Sequence, residues 1–284
     1  MSKPRLNRLF NARSGRAFDV AVDHGAFHEY TFLTGIEDMA KTVATLVDAG
    51  PDAVQLTLGQ APLLQAFPGK QKPGLVLRTD IANVYGDPLE TPLHSIHVPD
   101  AIEVAVRLDA VAVCVNLLDL PGEPQVREQC IRSILALRTD AEKYGMPLMI
   151  EPLVMQTKPG SGGYGVDGDT AKVITLVRQA RELGADLIKA DPTDDITEYH
   201  RVIQAAGDTP LLVRGGGRVD DRTLLERTQA VLEQGARGIV YGRNVIQHHD
   251  PAGITAALMA VVHDDASVDE ALALIGAPAE GDRA

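Results

Sequence analysis

The sequence predicts a closed (β/α)8 barrel, and three observations carry that prediction. Eight short, nearly continuous apolar runs alternate along the chain with helix-length amphipathic stretches. No linker rich in Pro, Gly and Ser separates them. The 284 residues match the length of one such barrel with short additions, here an N-terminal extension and a C-terminal helix and tail, so that 1–284 is one domain. An open doubly wound sheet is the alternative arrangement of the same units.

The runs are FDVAVDHG from Phe18, AVQL from Ala53, LVLRTD from Leu75 and AVAVCVN from Ala110. They continue with PLMIEP from Pro147, DLIKAD from Asp186, PLLVRGG from Pro210 and GIVYGRN from Gly238. Unbroken apolar character is what strands covered on both faces require. Helical stretches are expected over Ile36–Ala49, Glu123–Tyr144, Thr170–Leu183, Asp195–Ala206 and Asp220–Glu233. Capping aspartates (Asp194, Asp220) open some of them, and Gly184 and Gly235 close others. The second helix, near Ala61–Phe67, reads as short, and the acidic tail after Ile275 reads as frayed or surface-bound.

Apolar residues make up 45% of the chain, enough for a core without staples, and with no Trp and only 4% aromatics that core must be aliphatic. A formal charge of −12 argues against nucleic-acid or anionic-membrane surfaces, although a few local donors can still hold a small anion. Cys114 and Cys130 form no Cys-x-x-Cys pair, which fits two buried thiols in a reducing cytoplasm. Neither a signal-peptide pattern nor a membrane-spanning run is evident.

In such a barrel, catalytic groups gather where strands end. Here the ends carry Asp23 and His24, Arg78 and Asp80, Asn116, Glu151, Lys189 and Asp191, Arg214, and Arg243 and Asn244. Lys189 is the most telling, because it follows Ala-Asp-Leu-Ile at the end of a strand instead of lying on an exposed helix. Burial is expected to lower its pKa and leave a neutral amine that attacks carbonyls, with Arg214 pushing the same way. Asp23 and Glu151 are the candidates for moving protons. The plainer alternative is an ion pair between Lys189 and Asp191 or Glu151. Two glycine-rich loops, Arg214-Gly215-Gly216-Gly217 and Tyr241-Gly242-Arg243-Asn244, stand where barrels of this kind bind phosphate.

Two further patterns read differently. Gly160-Ser161-Gly162-Gly163-Tyr164-Gly165 spells a dinucleotide fingerprint but does not leave a strand directly, so it is expected to be a mobile loop or lid over the barrel mouth. The pairs His24/His28, His94/His97 and His248/His249 leave open a metal-dependent lyase or isomerase, though none matches a tight ligand motif. No metal or cofactor is expected.

These residues resemble the class I aldolases of the DeoC/LacD type, from Asp19-Val20-Ala21-Val22-Asp23-His24-Gly25 to Gly242-Arg243-Asn244-Val245. The resemblance implies a Schiff base between Lys189 and a ketose phosphate, with Asp23 beside it and His24 among the substrate contacts. It implies that the loops of Gly215, Gly216 and Gly217 and of Gly242 and Arg243 hold the phosphate. Arg214, read as a further phosphate contact from its place at the strand end, makes the first loop more basic than the Ser-rich loops of the family. It implies reversible carbon–carbon cleavage releasing a triose phosphate such as dihydroxyacetone phosphate, and assembly into a homo-oligomer. Strand five departs from the archaeal-type fructose-bisphosphate branch, which has tyrosine and Pro-Arg-Gly there. Glu151-Pro152-Leu153-Val154 is closer to the tagatose and sulfosugar branch, in which a glutamate shuttles the proton. Acyl transfer on a phosphorylated diketone by the same lysine is the neighbouring possibility. A noncatalytic phosphosugar-binding protein is the remaining one.

Overall fold

The computed structural model describes residues 4–86, 89–158 and 163–276. Eight parallel strands form the barrel: β1 Ala17–Ala21, β2 Ala53–Leu56, β3 Gly74–Arg78 and β4 Ala112–Asp119, then β5 Leu148–Thr157, β6 Leu187–Ala190, β7 Leu211–Arg214 and β8 Gly238–Tyr241. Each pairs with its sequence neighbours, β8 pairs with β1, and the ring is therefore closed. All eight expected strands are present, and the open sheet is excluded. Following the ladder register once around from Ala17 leads back to Gly25, eight residues on, the stagger that an eight-stranded barrel of this kind needs.

The first strand stops at Ala21, earlier than its apolar run suggests, because Asp23 begins a tight turn over His24–Phe27. The fifth runs on through Pro152 to Thr157, where its end pairs antiparallel with Tyr164–Val166. That hairpin holds Gly163–Gly165, so the glycine-rich hexapeptide does not open a helix; its remaining residues, Gly160–Gly162, lie outside the described residues. A second hairpin, Asp80–Ala82 with Ser95–His97, follows β3 and was not evident in the sequence.

Around the strands lie α1 Met39–Ala49, α2 Ala61–Gln65, α3 Ala101–Arg107, α4 Pro124–Tyr144 and α5 Thr170–Glu182. They are followed by α6 Tyr199–Ala206, α7 Asp221–Glu233, α8 Arg243–Ile246, α9 Pro251–Asp264 and α10 Val268–Leu272. The side chains of Asp38, Asp169, Asp220 and Asp250 cap α1, α5, α7 and α9 by accepting backbone N–H groups of the first turn. The second helix is only five residues long, as its sequence suggests. Among the described residues, no helix is long and apolar enough to cross a membrane.

The core has two parts. Outward-facing residues such as Phe18, Val20, Val54, Leu77, Val113, Ile188 and Val213 meet the helices. Inward-facing ones, including Ala17, Ala53, Val76, Ala112, Met149, Leu187 and Leu212, fill the barrel, and Leu9 from the N-terminal segment packs with them. A hydrogen-bonded chain ties that segment to α9 and the start of β2: Ser14 Oγ lies 2.7 Å from His263 Nδ1, and His263 Nε2 lies 2.9 Å from Asp52. Alternation along each strand then puts Asp23, Gln55, Arg78, Asn116, Glu151, Lys189, Asp191 and Arg214 on the inner face above the apolar layers. All but Arg214, which is partly exposed, are buried.

Candidate active site

The strand ends converge on one charged cluster. Arg78, buried at the end of β3, donates from Nε to Asp23 Oδ2 at 2.6 Å and from Nη1 to Asp80 and Asn116, each at 3.2 Å. Its Nη2 donates to Glu151 Oε2. The other oxygen of Glu151 accepts from Lys189 Nζ at 3.1 Å and Arg214 Nε at 3.2 Å. Arg214 also holds Asp191, with Nη1 2.9 Å from Oδ1. Asp23 Oδ2 accepts a further bond from Gln55 at 2.6 Å.

These contacts set the charge states. Burial pushes the Glu151 carboxyl up, but Lys189, Arg78 and Arg214 outweigh it and hold it well below the usual carboxylate range. Asp23 is likewise held low, against burial, chiefly by Arg78 and Lys189. Lys189 differs from the sequence expectation. Burial does oppose its ammonium, but Glu151 and Asp23 more than compensate and place its pKa above the ordinary lysine value. The resting lysine is thus an ammonium in the ion pair with Glu151 that the sequence left as the plainer alternative. The reason is that burial arrives together with carboxylates, and a paired charge is not lost as an isolated one would be.

A cavity opens above this cluster, lined by Lys189, Glu151, Asp23, His24, Arg214 and Arg243 together with Tyr85, Gly215, Gly216 and Gly242. Arg78 and Arg214 are neutralised by carboxylates, whereas Arg243 makes no ion pair among the described residues. Its guanidinium lies 4.7 Å from the Phe32 ring centre and donates to Gly216 O at 3.2 Å. Burial first, and then the Arg214 charge, lower its pKa, a condition that a bound anion would relieve.

The glycine loops are shaped from behind. Asn244 donates to the carbonyls of Gly215 at 3.2 Å and Gly217 at 3.3 Å, and Arg227 donates to Gly215 O at 2.6 Å. Gly242 has to be glycine, since a Cβ there would fall 2.6 Å from the His24 ring. Gly216 has φ +63° and lines the cavity, while Gly217 faces the neighbouring groove beside α7. His24 packs edge-on against Phe32, and its Nδ1 is buried without a partner among the described residues. Burial, reinforced by Arg243, Lys189 and Arg214, takes its pKa down to about 4, so the ring is neutral near pH 7.

The histidine pairs meet other partners, apart from the tilted rings of His248 and His249, 4.2 Å between centres. His28 meets Glu90, His97 meets Ser133 and His248 meets Asp221. Among the described residues, no group of three or more His, Cys, Asp or Glu side chains is placed to hold a metal ion.

Two residues of this region escaped the sequence reading. Tyr85 comes from the loop of the second hairpin, for which no local pattern exists. Asp19 was legible: it shares the parity of Ala21 and Asp23 on β1, so a carboxylate in that apolar run had to face the barrel interior. The strand register sets it one level below Lys189, fully buried, with neither oxygen hydrogen-bonded among the described residues. Burial, opposed by Lys189, takes its carboxyl up to about 7. A folded-state pKa above that of the unfolded chain means the native state binds this proton more tightly. Asp19 therefore costs stability progressively from about pH 4 to about pH 7, and by a constant amount above that. Asp19→Asn is expected to remove this slope and to gain on the order of 4 kcal/mol over wild type between pH 4 and pH 8. Urea midpoints at several pH values check it, and parallel curves for the two proteins would refute it.

A family model for the DeoC/LacD family aldolases matches residues 17–248. The chain belongs to this aldolase family. It is 32% identical over 278 residues to an uncharacterized aldolase of Saccharolobus solfataricus, covering 96% of this chain and 98% of that one. It is 30% identical over 273 residues to a 2-amino-3,7-dideoxy-D-threo-hept-6-ulosonate synthase of Halobacterium salinarum, covering 96% and 95%. A 3-hydroxy-5-phosphonooxypentane-2,4-dione thiolase of Photorhabdus laumondii is 30% identical over 270 residues, covering 95% and 85%. Among solved structures, an archaeal fructose-1,6-bisphosphate aldolase has its catalytic lysine covalently bound to the carbinolamine intermediate of the substrate. It superposes with a TM-score of 0.76 at 26% identity, over 92% of this chain and 99% of that one. The family is one of class I, Schiff-base aldolases.

Proposed function

We propose that this aldolase acts on a phosphorylated ketose through a Schiff base at Lys189, cleaving a carbon–carbon bond reversibly and releasing a triose phosphate. The observation that carries the reading is one cavity with a buried lysine paired to Glu151 at its floor and, beside the Gly216 loop at its wall, Arg243, an arginine without a carboxylate partner among the described residues. A carbonyl and an anionic group a few atoms apart fit that pairing.

In this reading Lys189 passes its proton to Glu151, 3.1 Å away, and the amine attacks the ketose carbonyl. Glu151 returns that proton to the carbinolamine hydroxyl, which leaves as water, and the resulting iminium accepts the electron pair of the breaking carbon–carbon bond. Glu151, assisted by Asp23, takes the proton of the hydroxyl that becomes the aldehyde. Arg243, Arg214 and the backbone of Gly215, Gly216 and Gly242 hold the phosphate, with Gly217 turned to the neighbouring groove, and neutral His24 supplies a further polar contact. Similarity to the thiolase favours a second reading, acyl transfer from a phosphorylated diketone through the same lysine. An acylated acceptor in place of a free aldehyde would distinguish it.

Borohydride reduction in the presence of phosphorylated ketoses and of their dephosphorylated forms tests the reading. The peptide containing Lys189 is expected to gain the mass of the reduced adduct, with the phosphorylated forms trapping at concentrations at least about 10-fold lower. An unmodified Lys189 peptide across the panel would refute it.

A further inference from the structure

Resting on the reading above, we propose that Tyr85 is a further catalytic residue: its phenol protonates the carbon of the enamine formed on Lys189 and removes that proton in the reverse direction.

The inference starts from a deficit. Cleavage leaves an enamine whose carbon needs a proton, and most ionisable groups around the cavity have none free to deliver. Glu151 receives the proton of the substrate hydroxyl during cleavage, but both its oxygens are turned to Arg78, Lys189 and Arg214, and Asp23 is held as a carboxylate by Arg78 and Gln55. Lys189 is consumed as the iminium nitrogen. A neutral imidazole such as His24 parts with its N–H proton far less readily than a phenol does.

Tyr85 has a proton and is held in place. It is 7% exposed and lines the same cavity as Lys189 and Glu151. Its ring sits edge-on against Phe27 at 5.7 Å and Phe32 at 5.4 Å. The loop that carries it is closed by Asn83, which donates to Glu90 O and Pro92 O and accepts from His94 N. Arg214 Nη2 approaches the phenol oxygen at 3.5 Å as a donor, so the phenol's own proton has no acceptor among the described residues. Burial keeps the phenol protonated at neutral pH despite Arg214.

The step balances. The enamine double bond supplies the electron pair of the new C–H bond and the nitrogen lone pair restores the iminium. The O–H electrons stay on the phenolate, opposite the Arg214 guanidinium. Glu151, also bonded to Arg214, returns to it the proton taken from the substrate hydroxyl.

Tyr85→Phe keeps the ring packing and removes only the hydroxyl. With dihydroxyacetone phosphate as probe in deuterated water, exchange of the carbon-bound hydrogen, followed by proton NMR, is expected to fall about 100-fold or more. Borohydride trapping at Lys189 and the probe concentration for half-maximal trapping should stay within about 3-fold, which also reports an intact fold. Exchange within about 3-fold of wild type, with trapping intact, would overturn the role of Tyr85 alone. A wild-type enzyme that traps no probe would overturn the Lys189 reading, and this inference with it.

Discussion

Replacing Lys189 with arginine or methionine will lower kcat by about 10⁴-fold or more and abolish borohydride trapping, while the barrel stays folded. Neither side chain can form an imine, so no repositioning of neighbours restores the reaction. The two substitutions separate chemistry from charge. The cluster sets four carboxylates, Asp23, Asp80, Glu151 and Asp191, against three cations, Lys189, Arg78 and Arg214. Arginine preserves that balance, whereas methionine leaves Glu151 with two guanidinium partners and one more unbalanced negative charge. Lys189→Met should therefore melt lower than Lys189→Arg and be the more sensitive of the two to rising pH. Steady-state kinetics and thermal melts check this. Turnover by either variant above about one hundredth of wild type would show that the lysine is not the nucleophile.

Replacing Arg78 with leucine will be the most destabilising single change in the barrel, at about 3–5 kcal/mol. The side chain is buried and serves four acceptors at once through three different nitrogens, with Phe27 5.2 Å from the guanidinium. Without it, Asp23, Asp80 and Glu151 remain buried with too few cations, and leaving a buried charge uncompensated costs more than the pair contributes. Lysine in its place should recover only part of the loss, because one ammonium on a flexible stem cannot match the planar fork. The deficit should shrink on acidification as the released carboxylates take up protons. A urea melt of Arg78→Leu within about 1 kcal/mol of wild type at neutral pH would refute this account.

Much of the fold was legible because its two causes are local in sequence. Strands covered on both faces must be apolar throughout, and α1, α5, α7 and α9 carry their capping aspartates one residue ahead of the first turn. The hairpin Asp80–Ala82 with Ser95–His97 was not legible, since its pairing depends on residues brought together over β3 and α4. Within the site, Lys189, Glu151, Asp23, Arg214 and Arg243 could be named from strand ends alone. Tyr85 could not, because a tyrosine in an irregular loop acquires meaning only when the loop folds back over the barrel mouth.

The sequence by itself determined a barrel of aliphatic strands, the lysine at the end of the sixth strand and the glycine loops after the seventh and eighth. Strand parity and chain order dictate all of these. Only the tertiary structure decided how the charges are shared. It made Lys189 an ammonium paired with Glu151, committed Arg214 to carboxylates and left Arg243 without one among the described residues. The physical reason is that a pKa or an ion pair is a sum over neighbours a few ångströms away in space. Those neighbours come from five different strands, and no stretch of sequence contains them together.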